Sequence, residues 1–226
     1  MKKAISLLKD ILNLPGKTLQ LDVTHEEGRR MYESFNKRHP RIPVFRNKSI
    51  GVALVDLHHF KSKEEYLLSV NGKNSAAYFS RKAAKAGYCI KKFNPAHYHQ
   101  AIIEIHKSNP ERQGGNLPSS YFEELSYPIN EYNSYYGVFK DELLCGYIWA
   151  IESGDTVVFS RIMGHHDFLK EGIMYLLATA VIGSYIDEKP NIAYAMYDTY
   201  FGASEGLKMY KRRLGFTAFK VNWVKK

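Results

Sequence analysis

The amino-acid sequence predicts a mixed α/β fold (an α+β mixed sheet), built on one sheet with helices packed against it. From residue 88 onwards the predicted elements follow the order β-α-α-β-β-β-α-β-α-β. Three consecutive strands with hairpin-like connections indicate an antiparallel meander, and the β-α-β unit after them indicates a crossover between parallel strands. A chain of 226 residues, 45% of them hydrophobic, can bury such a core. This order excludes a barrel and a helical bundle.

The first 85 residues are less regular, and the first 48 of them are polar and basic. Pro15-Gly16 breaks this segment, and residues 39–43 (HPRIP) form a stiff, extended linker because each proline restricts the residue before it. The predicted elements here are helices over 2–12 and 25–37, a strand over 51–57 and a helix over 62–85. The last helix is predicted from apolar residues that recur at a helical period, such as Tyr66, Leu67 and Val70.

The remaining elements are easier to order, because turn signals separate them. Gly87 ends the preceding helix, Ser204 begins a later one, and residues 140–142 and 153–155 have hairpin-like composition. The predicted elements are strand 88–93, helix 95–107, a short helix near 119–125, strands 135–139, 144–151 and 156–163, helix 169–186, strand 191–196, helix 204–213 and strand 216–224. A turn-rich loop over 108–120 separates the first two helices.

Charge and cysteine content narrow the class of protein. The chain has 32 Lys and Arg against 23 Asp and Glu, a net charge of +9, which favours an anionic partner such as nucleic acid, a phosphorylated cofactor or an anionic membrane surface. Two cysteines cannot form a disulfide framework and lack zinc-site spacing, which favours a reducing compartment. Lys9 and Asp10 interrupt the N-terminal apolar run, and no run reaches the roughly 20 residues of a membrane span. We expect a soluble, cytoplasmic protein.

Three segments carry a resemblance to a known family. Residues 80–88 (SRKAAKAGY) are a basic helix that leads into a strand, residues 164–177 (GHHDFLKEGIMYLL) are a turn followed by a helix, and residues 206–216 (GLKMYKRRLGF) are a helix that feeds a last strand. In this order and spacing they resemble the GCN5-related N-acetyltransferase (GNAT) superfamily, and specifically its FemAB-like branch. The resemblance covers residues 86–226, and it makes residues 1–85 an N-terminal extension or a partial GNAT-like subdomain.

The resemblance implies an acyltransferase that moves an acyl or aminoacyl group to an amine by direct attack. The donor it implies is acyl-CoA, an acyl-carrier protein or an aminoacyl-tRNA, with no tightly bound cofactor. In this fold the donor lies where two strands part, here 156–163 and 191–196, with an opening beside Gly164 and Tyr197. The resemblance makes Tyr197 the acid, with Asp198 or His165 assisting removal of the proton from the amine.

Binding residues follow from the same resemblance. Donor contacts are assigned to Gly164, His166, Gly172, Lys208 and Lys211, and acceptor contacts to Arg112, Gln113 and Tyr121. Each residue also has a purely structural interpretation: Tyr197 as core, Asp198 as a turn, the histidines as loop or cap residues, and the lysines as cations that complement a helix C-terminus. The loop that holds Arg112 is also consistent with a simple turn.

Other site classes lack their motifs. The sequence contains no Gly-x-Ser-x-Gly elbow, no P-loop and no Gly-x-Gly-x-x-Gly, and no Cys or carboxylate cluster has metal-ligand spacing. The competing hypothesis is a non-enzymatic, basic RNA-binding module that uses Lys and Arg surfaces with interleaved tyrosines. The sequence does not determine the donor, the acceptor or the oligomeric state.

Overall fold

A computed structural model describes residues 11, 13–40, 43–108, 111–112, 115–122 and 126–226, with the backbone alone at 111–112, 115–116 and 120. The strands of this part of the chain are β1 (Gly16–Leu21), β2 (Ile50–Asp56), β3 (Tyr88–Lys92), β4 (Glu111–Arg112), β5 (Gly115–Asn116), β6 (Asn133–Lys140), β7 (Leu143–Ser153), β8 (Thr156–Gly164), β9 (Tyr194–Thr199) and β10 (Thr217–Lys225). The α-helices are α1 (Glu26–Asn36), α2 (Lys63–Ser69), α3 (Ala76–Lys85), α4 (His99–Lys107), α5 (Ile173–Glu188) and α6 (Glu205–Arg213).

Eight of the strands form one mixed sheet in the order β1-β10-β2-β9-β8-β7-β6-β3. The pairs β1–β10 and β8–β9 are parallel, and the other neighbours are antiparallel. The pairing confirms the predicted meander β6-β7-β8 and the parallel crossover from β8 through α5 to β9. The fold class predicted from the sequence is therefore confirmed.

Helices cover both faces of this sheet. The side chains of α2, α3, α5 and α6 pack on one face, together with Val157, Phe159 and Tyr197 of the strands. Those of α1 and α4 pack on the other face, where Val158 and Met196 point because successive strand residues alternate in direction. Helix α5 is apolar on all sides because it lies in the middle of its layer.

The predicted helix over 62–85 is wrong in one respect, because two helices occupy that segment. Helix α2 ends at Ser69 and α3 begins at Ala76. Between them Gly72 and Asn74 have positive φ angles of 149° and 56°, and the Ser75 side chain caps α3. The apolar period runs through the break, so it does not show where the backbone turns.

The N-terminal segment contributes strands that the sequence pattern did not predict. Strand β1 was not predicted, although Leu19 and Leu21 are fully buried in it, and it pairs with the last strand, β10. Strand β2 was predicted, and it lies between β9 and β10. The predicted helix over 25–37 is confirmed as α1, whereas the helix over 2–12 lies outside the described residues. The division at residue 85 stays a prediction.

Strand β9 begins three residues later than predicted, at Tyr194 instead of residue 191. Its start is fixed by the Asp155 carbonyl, which accepts hydrogen bonds from the N–H groups of Ala193 and Tyr194 at 2.8 and 3.1 Å. Tyr197 and Asp198 consequently lie within this strand and not after it.

Two smaller differences concern helix ends. Near residue 119 the structure has one 3₁₀ turn, Ser119–Tyr121, and residues 123–125 of the predicted helix lie outside the described part. The predicted helix over 169–186 begins at Ile173, after a 3₁₀ helix over His166–Glu171. Within the described residues, no helix combines the length and apolar character that crossing a membrane requires.

Candidate functional site

The parallel strands β8 and β9 part after a short paired stretch. They are in register only at Thr156–Tyr194, Val157–Ala195 and Val158–Met196. Beyond Val158, no strand of the described chain pairs with the side of β8 that faces β9. Backbone polar groups on this side are therefore left to bind something other than a neighbouring strand.

A bulge on each strand accompanies the opening. In β8, Phe159 and Arg161 oppose consecutive residues of β7, so Ser160 is an extra residue. In β9 the register with β2 shifts over residues 196–199, and Asp198 there has a φ of 52°. Bulges bend and twist a strand, and these two adjoin the point where β8 and β9 separate.

A cavity of about 400 Å³ occupies the opening. Its lining includes the paired ends Val158 and Met196, which point to one face of the sheet, and Phe159 and Tyr197, which point to the other. The cavity therefore reaches both faces. The remaining lining residues are Phe35, Lys48, Leu117, Pro118, Tyr121, Ser160, Asp198, Leu207 and Lys211.

Asp198 forms an ion pair with Lys48 at the cavity. The Lys48 ammonium contacts Oδ1 of Asp198, and the two side chains are 25% and 47% exposed. Lys48 is held in place by its own carbonyl, which accepts a hydrogen bond of 2.5 Å from Nε1 of Trp223. Because Lys48 uses only Oδ1, Oδ2 can receive a donor from a molecule in the cavity.

Tyr197 and Lys211 form the buried wall on the α6 side. The Lys211 ammonium is fully buried, donates to the Thr199 carbonyl at 2.7 Å and lies 4.7 Å from the centroid of the Tyr197 ring. A buried ammonium needs such compensation, which the carbonyl and the negative face of the ring supply. Its backbone contact joins α6 to the bulged end of β9.

Tyr121 forms part of the opposite wall and is fixed by a buried histidine. Nδ1 of His106 lies 2.7 Å from the Tyr121 carbonyl, and Nε2 lies 2.7 Å from the Tyr147 hydroxyl. A carbonyl can only accept, so Nδ1 carries a proton, and in the neutral ring Nε2 accepts from Tyr147. Burial raises the pKa of Tyr147, which keeps its hydroxyl protonated for this bond.

Four of the residues predicted from the sequence thus meet at one cavity: Tyr197, Asp198, Lys211 and Tyr121. The predicted residue Lys208 does not line it and pairs with Glu205 at 2.8 Å. Arg112 lies in β4, where the backbone alone is described, and Gln113 lies outside the described residues.

The predicted turn after β8 also lies away from the cavity. Gly164 is four residues beyond Ser160, about 13 Å along an extended strand. The ring of His165 accepts a long hydrogen bond of 3.4 Å from the Asp167 N–H, and the His166 N–H donates to Ser108. This turn is the start of the connection from β8 to α5.

Gly164 and Gly172 are both needed for close packing. A Cβ at Gly164 would lie 2.6 Å from Sδ of Met174, and a Cβ at Gly172 would lie 2.9 Å from the carbonyl oxygen of Phe79. Gly172 also has a φ of 86° and precedes the first residue of α5. The first turn of α5 is therefore in contact with α3.

Sequence reasoning missed several residues of the cavity. The sequence places Lys48 in the basic N-terminal segment and Phe35 within the predicted helix over 25–37, and neither position carries a signal for a site. Ser160 had one usable signal, since Ser160 and Arg161 interrupt a run of apolar residues in the predicted strand. Among the described residues, no group of three His, Cys, Asp or Glu side chains could hold a metal ion.

Comparison with known proteins identifies the fold. No family model and no curated protein matches the sequence. Among solved structures, FemX has a TM-score of 0.57 at 12% identity, with 75% of this chain and 59% of FemX covered. The C-terminal domain of a putative lysylphosphatidylglycerol synthetase from Agrobacterium fabrum has a TM-score of 0.49 at 11% identity, with 75% and 58% covered. A GCN5-related N-acetyltransferase from Kribbella flavida has 0.43 at 13%, with 76% and 58% covered.

The chain has a fold similar to that of FemX, in agreement with the FemAB-like fold that the resemblance in the sequence predicted. This chain spans less than two thirds of the length of the solved structures named above.

Proposed function

We propose that this protein transfers an acyl or aminoacyl group from an activated donor to an amine. The observation that carries the proposal is the opening between β8 and β9, with a cavity that reaches both faces of the sheet. Two reactants can enter such a cavity from opposite sides and meet within it, which removes much of the entropic cost of a bimolecular reaction. The FemX-like fold supports the same conclusion.

The donor enters from the face covered by α5 and α6, and the acceptor from the face covered by α1 and α4. Leu207 and Lys211 line the donor side, whereas Phe35, Lys48 and Tyr121 line the acceptor side. The donor is acyl-CoA, an acyl-carrier protein or an aminoacyl-tRNA. His166, Lys208 and the turn between Gly164 and Gly172 are the proposed contacts for the part of the donor outside the cavity.

The reaction is a direct attack without a covalent enzyme intermediate. The amine nitrogen forms a bond to the donor carbonyl carbon, the carbon–sulfur or carbon–oxygen bond to the leaving group breaks, and an amide results. Backbone N–H groups of β8 beyond Val158 stabilise the negative charge that develops on the carbonyl oxygen.

Two proton transfers complete the reaction. Asp198 receives the proton of the attacking amine on Oδ2, with Lys48 holding the carboxylate in place. Tyr197 donates a proton to the leaving sulfur or oxygen. His165 is the alternative base, and it follows the last residue of β8, beyond the cavity.

The competing hypothesis of a non-enzymatic RNA-binding module receives no support from the structural similarities. It also leaves the cavity and its bulged strands without a role. An aminoacyl-tRNA donor would require RNA binding as well, so RNA binding alone does not separate the two hypotheses. Formation of an amide does.

The test is detection of that amide by mass spectrometry, after the purified protein is incubated with each donor class and a panel of amines. D198N should lower kcat/KM by about 100-fold or more, because a well-placed base contributes that much. D141N is the matched control, since Asp141 also has a positive φ of 53° but lies in the β6–β7 hairpin.

Amide formation by D198N at the rate of D141N would remove Asp198 from the mechanism. Absence of amide with every donor class would contradict the proposed function itself.

A further inference from the structure

Arg161 lies beside the cavity on the acceptor face. It follows Ser160 in β8, and it opposes Trp149 of β7. Its guanidinium carbon is 4.2 Å from the centroid of the Tyr121 ring and 5.8 Å from that of Trp149. Ser160 and Tyr121 both line the cavity, so Arg161 is adjacent to it at two points.

No carboxylate of the described residues forms a salt bridge with Arg161, although the side chain is partly buried. Removing a positive charge from water is costly unless an anion or strong acceptors compensate it. The Tyr147 hydroxyl lies close enough to Arg161 for the guanidinium to act against the burial that raises the pKa of Tyr147. Stacking on Tyr121 covers one flat face of the guanidinium and leaves N–H donors on the rest of its edge. These donors match the planar geometry of a carboxylate, which can bind to two of them at once.

A second polar group on the same face is the hydroxyl of Tyr127. It is buried, and no described residue forms a hydrogen bond with it. The centroid of the Tyr127 ring lies 6.1 Å from that of Tyr135, and Tyr135 stacks on Trp149. Since Arg161 also lies over Trp149, Tyr127 and Arg161 contact the same cluster of aromatic rings. Burial raises the pKa of Tyr127 to about 12, and the positive charge of Arg161 acts against this rise. The guanidinium is therefore close enough to the Tyr127 hydroxyl to interact with it electrostatically. The hydroxyl is therefore a protonated donor.

We propose that Arg161, assisted by the Tyr127 hydroxyl, binds a carboxylate of the acceptor, so that the acceptor is an amine that also carries a carboxylate. That the bound molecule is the acceptor of a transfer reaction rests on the proposed function. A carboxylate fits better than a phosphate monoester, because one guanidinium and one hydroxyl match a single negative charge. A phosphate monoester carries −1.5 to −2 at neutral pH and calls for more cations.

The test measures binding without any donor, so it does not depend on catalysis. The probes are free amino acids and short peptides, each paired with its C-terminal amide, and O-phosphoethanolamine as the phosphate probe. Dissociation constants are measured by NMR titration for the wild type, R161Q, Y127F and R213Q. R213Q is the matched control, because Arg213 also stacks on an aromatic ring, Phe79 at 5.4 Å, and contacts a tyrosine hydroxyl, that of Tyr175 at 3.1 Å.

We expect at least one acid to bind about tenfold more tightly than its amide, in keeping with the strength of a charge-assisted hydrogen bond. R161Q should abolish this preference, Y127F should reduce it severalfold and R213Q should retain it. Equal binding of every acid and its amide, retention of the preference in R161Q, or tighter binding of O-phosphoethanolamine than of every acid would overturn the proposal. Amide formation in the transfer assay with acids and their amides alike would leave the proposed function intact and reject this carboxylate site alone.

Discussion

Asp198 has a backbone conformation that residues other than glycine seldom adopt. Its φ of 52° lies in the left-handed region, where aspartate and asparagine are enriched because their short polar side chains are tolerated there. The angle belongs to the bulge of β9, and the bulge adjoins the cavity. Strained residues of this kind collect at functional sites, where the surrounding structure holds them in place.

Another aspartate, Asp22, allows a prediction about pH. It follows β1, and its Oδ1 accepts hydrogen bonds from the Thr24 hydroxyl and the Thr24 N–H, which lower the pKa of its carboxyl group. Because this pKa is lower in the folded state than in the unfolded state, the ionised Asp22 carboxylate stabilises the fold at every pH above the unfolded-state pKa of about 3.9. This stabilisation is lost as the pH falls through the folded-state pKa.

D22N keeps the acceptor oxygen but loses the charge. We expect D22N to be less stable than the wild type at pH 7, and we expect the difference to disappear below the folded-state pKa. Urea unfolding at a series of pH values measures this difference. A difference that is constant from pH 7 to pH 2 would show that the charge has no part in it.

At the residue scale, sequence reasoning found the residues close to β9 and missed their partners. Tyr197 and Asp198 were predicted because they lie near the end of a predicted strand. Lys48 was not, because it precedes Asp198 by 150 residues and only the tertiary fold brings the two together. Arg161 was also missed, because its stacking partner Tyr121 comes from a turn 40 residues earlier in the chain.

At the element scale, the opening between β8 and β9 leads to a prediction about α6. Leu207 points from α6 into the cavity, whereas Met209 of the same helix is 44% exposed and does not line it. We expect L207W to fill the cavity and to lower amide formation by at least about tenfold, because displacement by about 1 Å is already costly to catalysis. M209W is the control and should retain activity.

Melting temperatures of both variants show whether each one folds. A folded L207W that is as active as M209W would mean that the reactants do not use this cavity.

Gly172 provides a second prediction at this scale. G172A should be destabilised by about 1–3 kcal/mol more than G202A, because overpacking of a tight contact costs about that much. Both glycines have positive φ, 86° and 82°, but a Cβ at Gly202 would meet no atom within 4 Å. Thermal unfolding compares the two variants. Equal stability would show that α3 and α5 can separate at this contact, and then Gly172 would be free to bind a donor.

The elements themselves were largely predictable, because hydrophobic period and turn residues are local properties. Strands β6, β7 and β8 follow the predicted order, with Asp141 and Gly154 in their hairpins. The break between α2 and α3 was not predicted, because the apolar residues on either side keep one helical period. Strand β9 begins later than predicted because its first residues bind the backbone carbonyl of Asp155, which lies in the β7–β8 hairpin. A local sequence pattern does not contain this long-range contact.

At the scale of the whole molecule, the first and last strands are neighbours. Strand β1 pairs with β10, and β2 separates β10 from β9. Leu19 of β1 is fully buried in the same cluster as Trp223 of β10. The N-terminal segment and residues 86–226 therefore share one sheet and one core cluster.

We expect L19A to destabilise the whole molecule by about 2–5 kcal/mol, the usual cost of a large-to-small change in a core. Its unfolding should stay a single transition, with tryptophan fluorescence and far-UV circular dichroism coincident. L68A is the control, because Leu68 is 71% exposed, and its stability should stay within about 0.5 kcal/mol of the wild type. Two separate transitions in L19A would indicate that residues 1–85 unfold as an independent unit.

The sequence by itself determined the fold class, the order of most elements and the identity of Tyr197, Asp198, Tyr121 and Lys211 as site residues to examine. These depend on local pattern and on a resemblance that local segments carry. Only the tertiary structure decided that β8 and β9 part after Val158, that Lys48 reaches Asp198, and that β1 and β2 complete the sheet. Those features depend on contacts between residues far apart in the chain, and a single sequence does not specify such contacts by its local pattern.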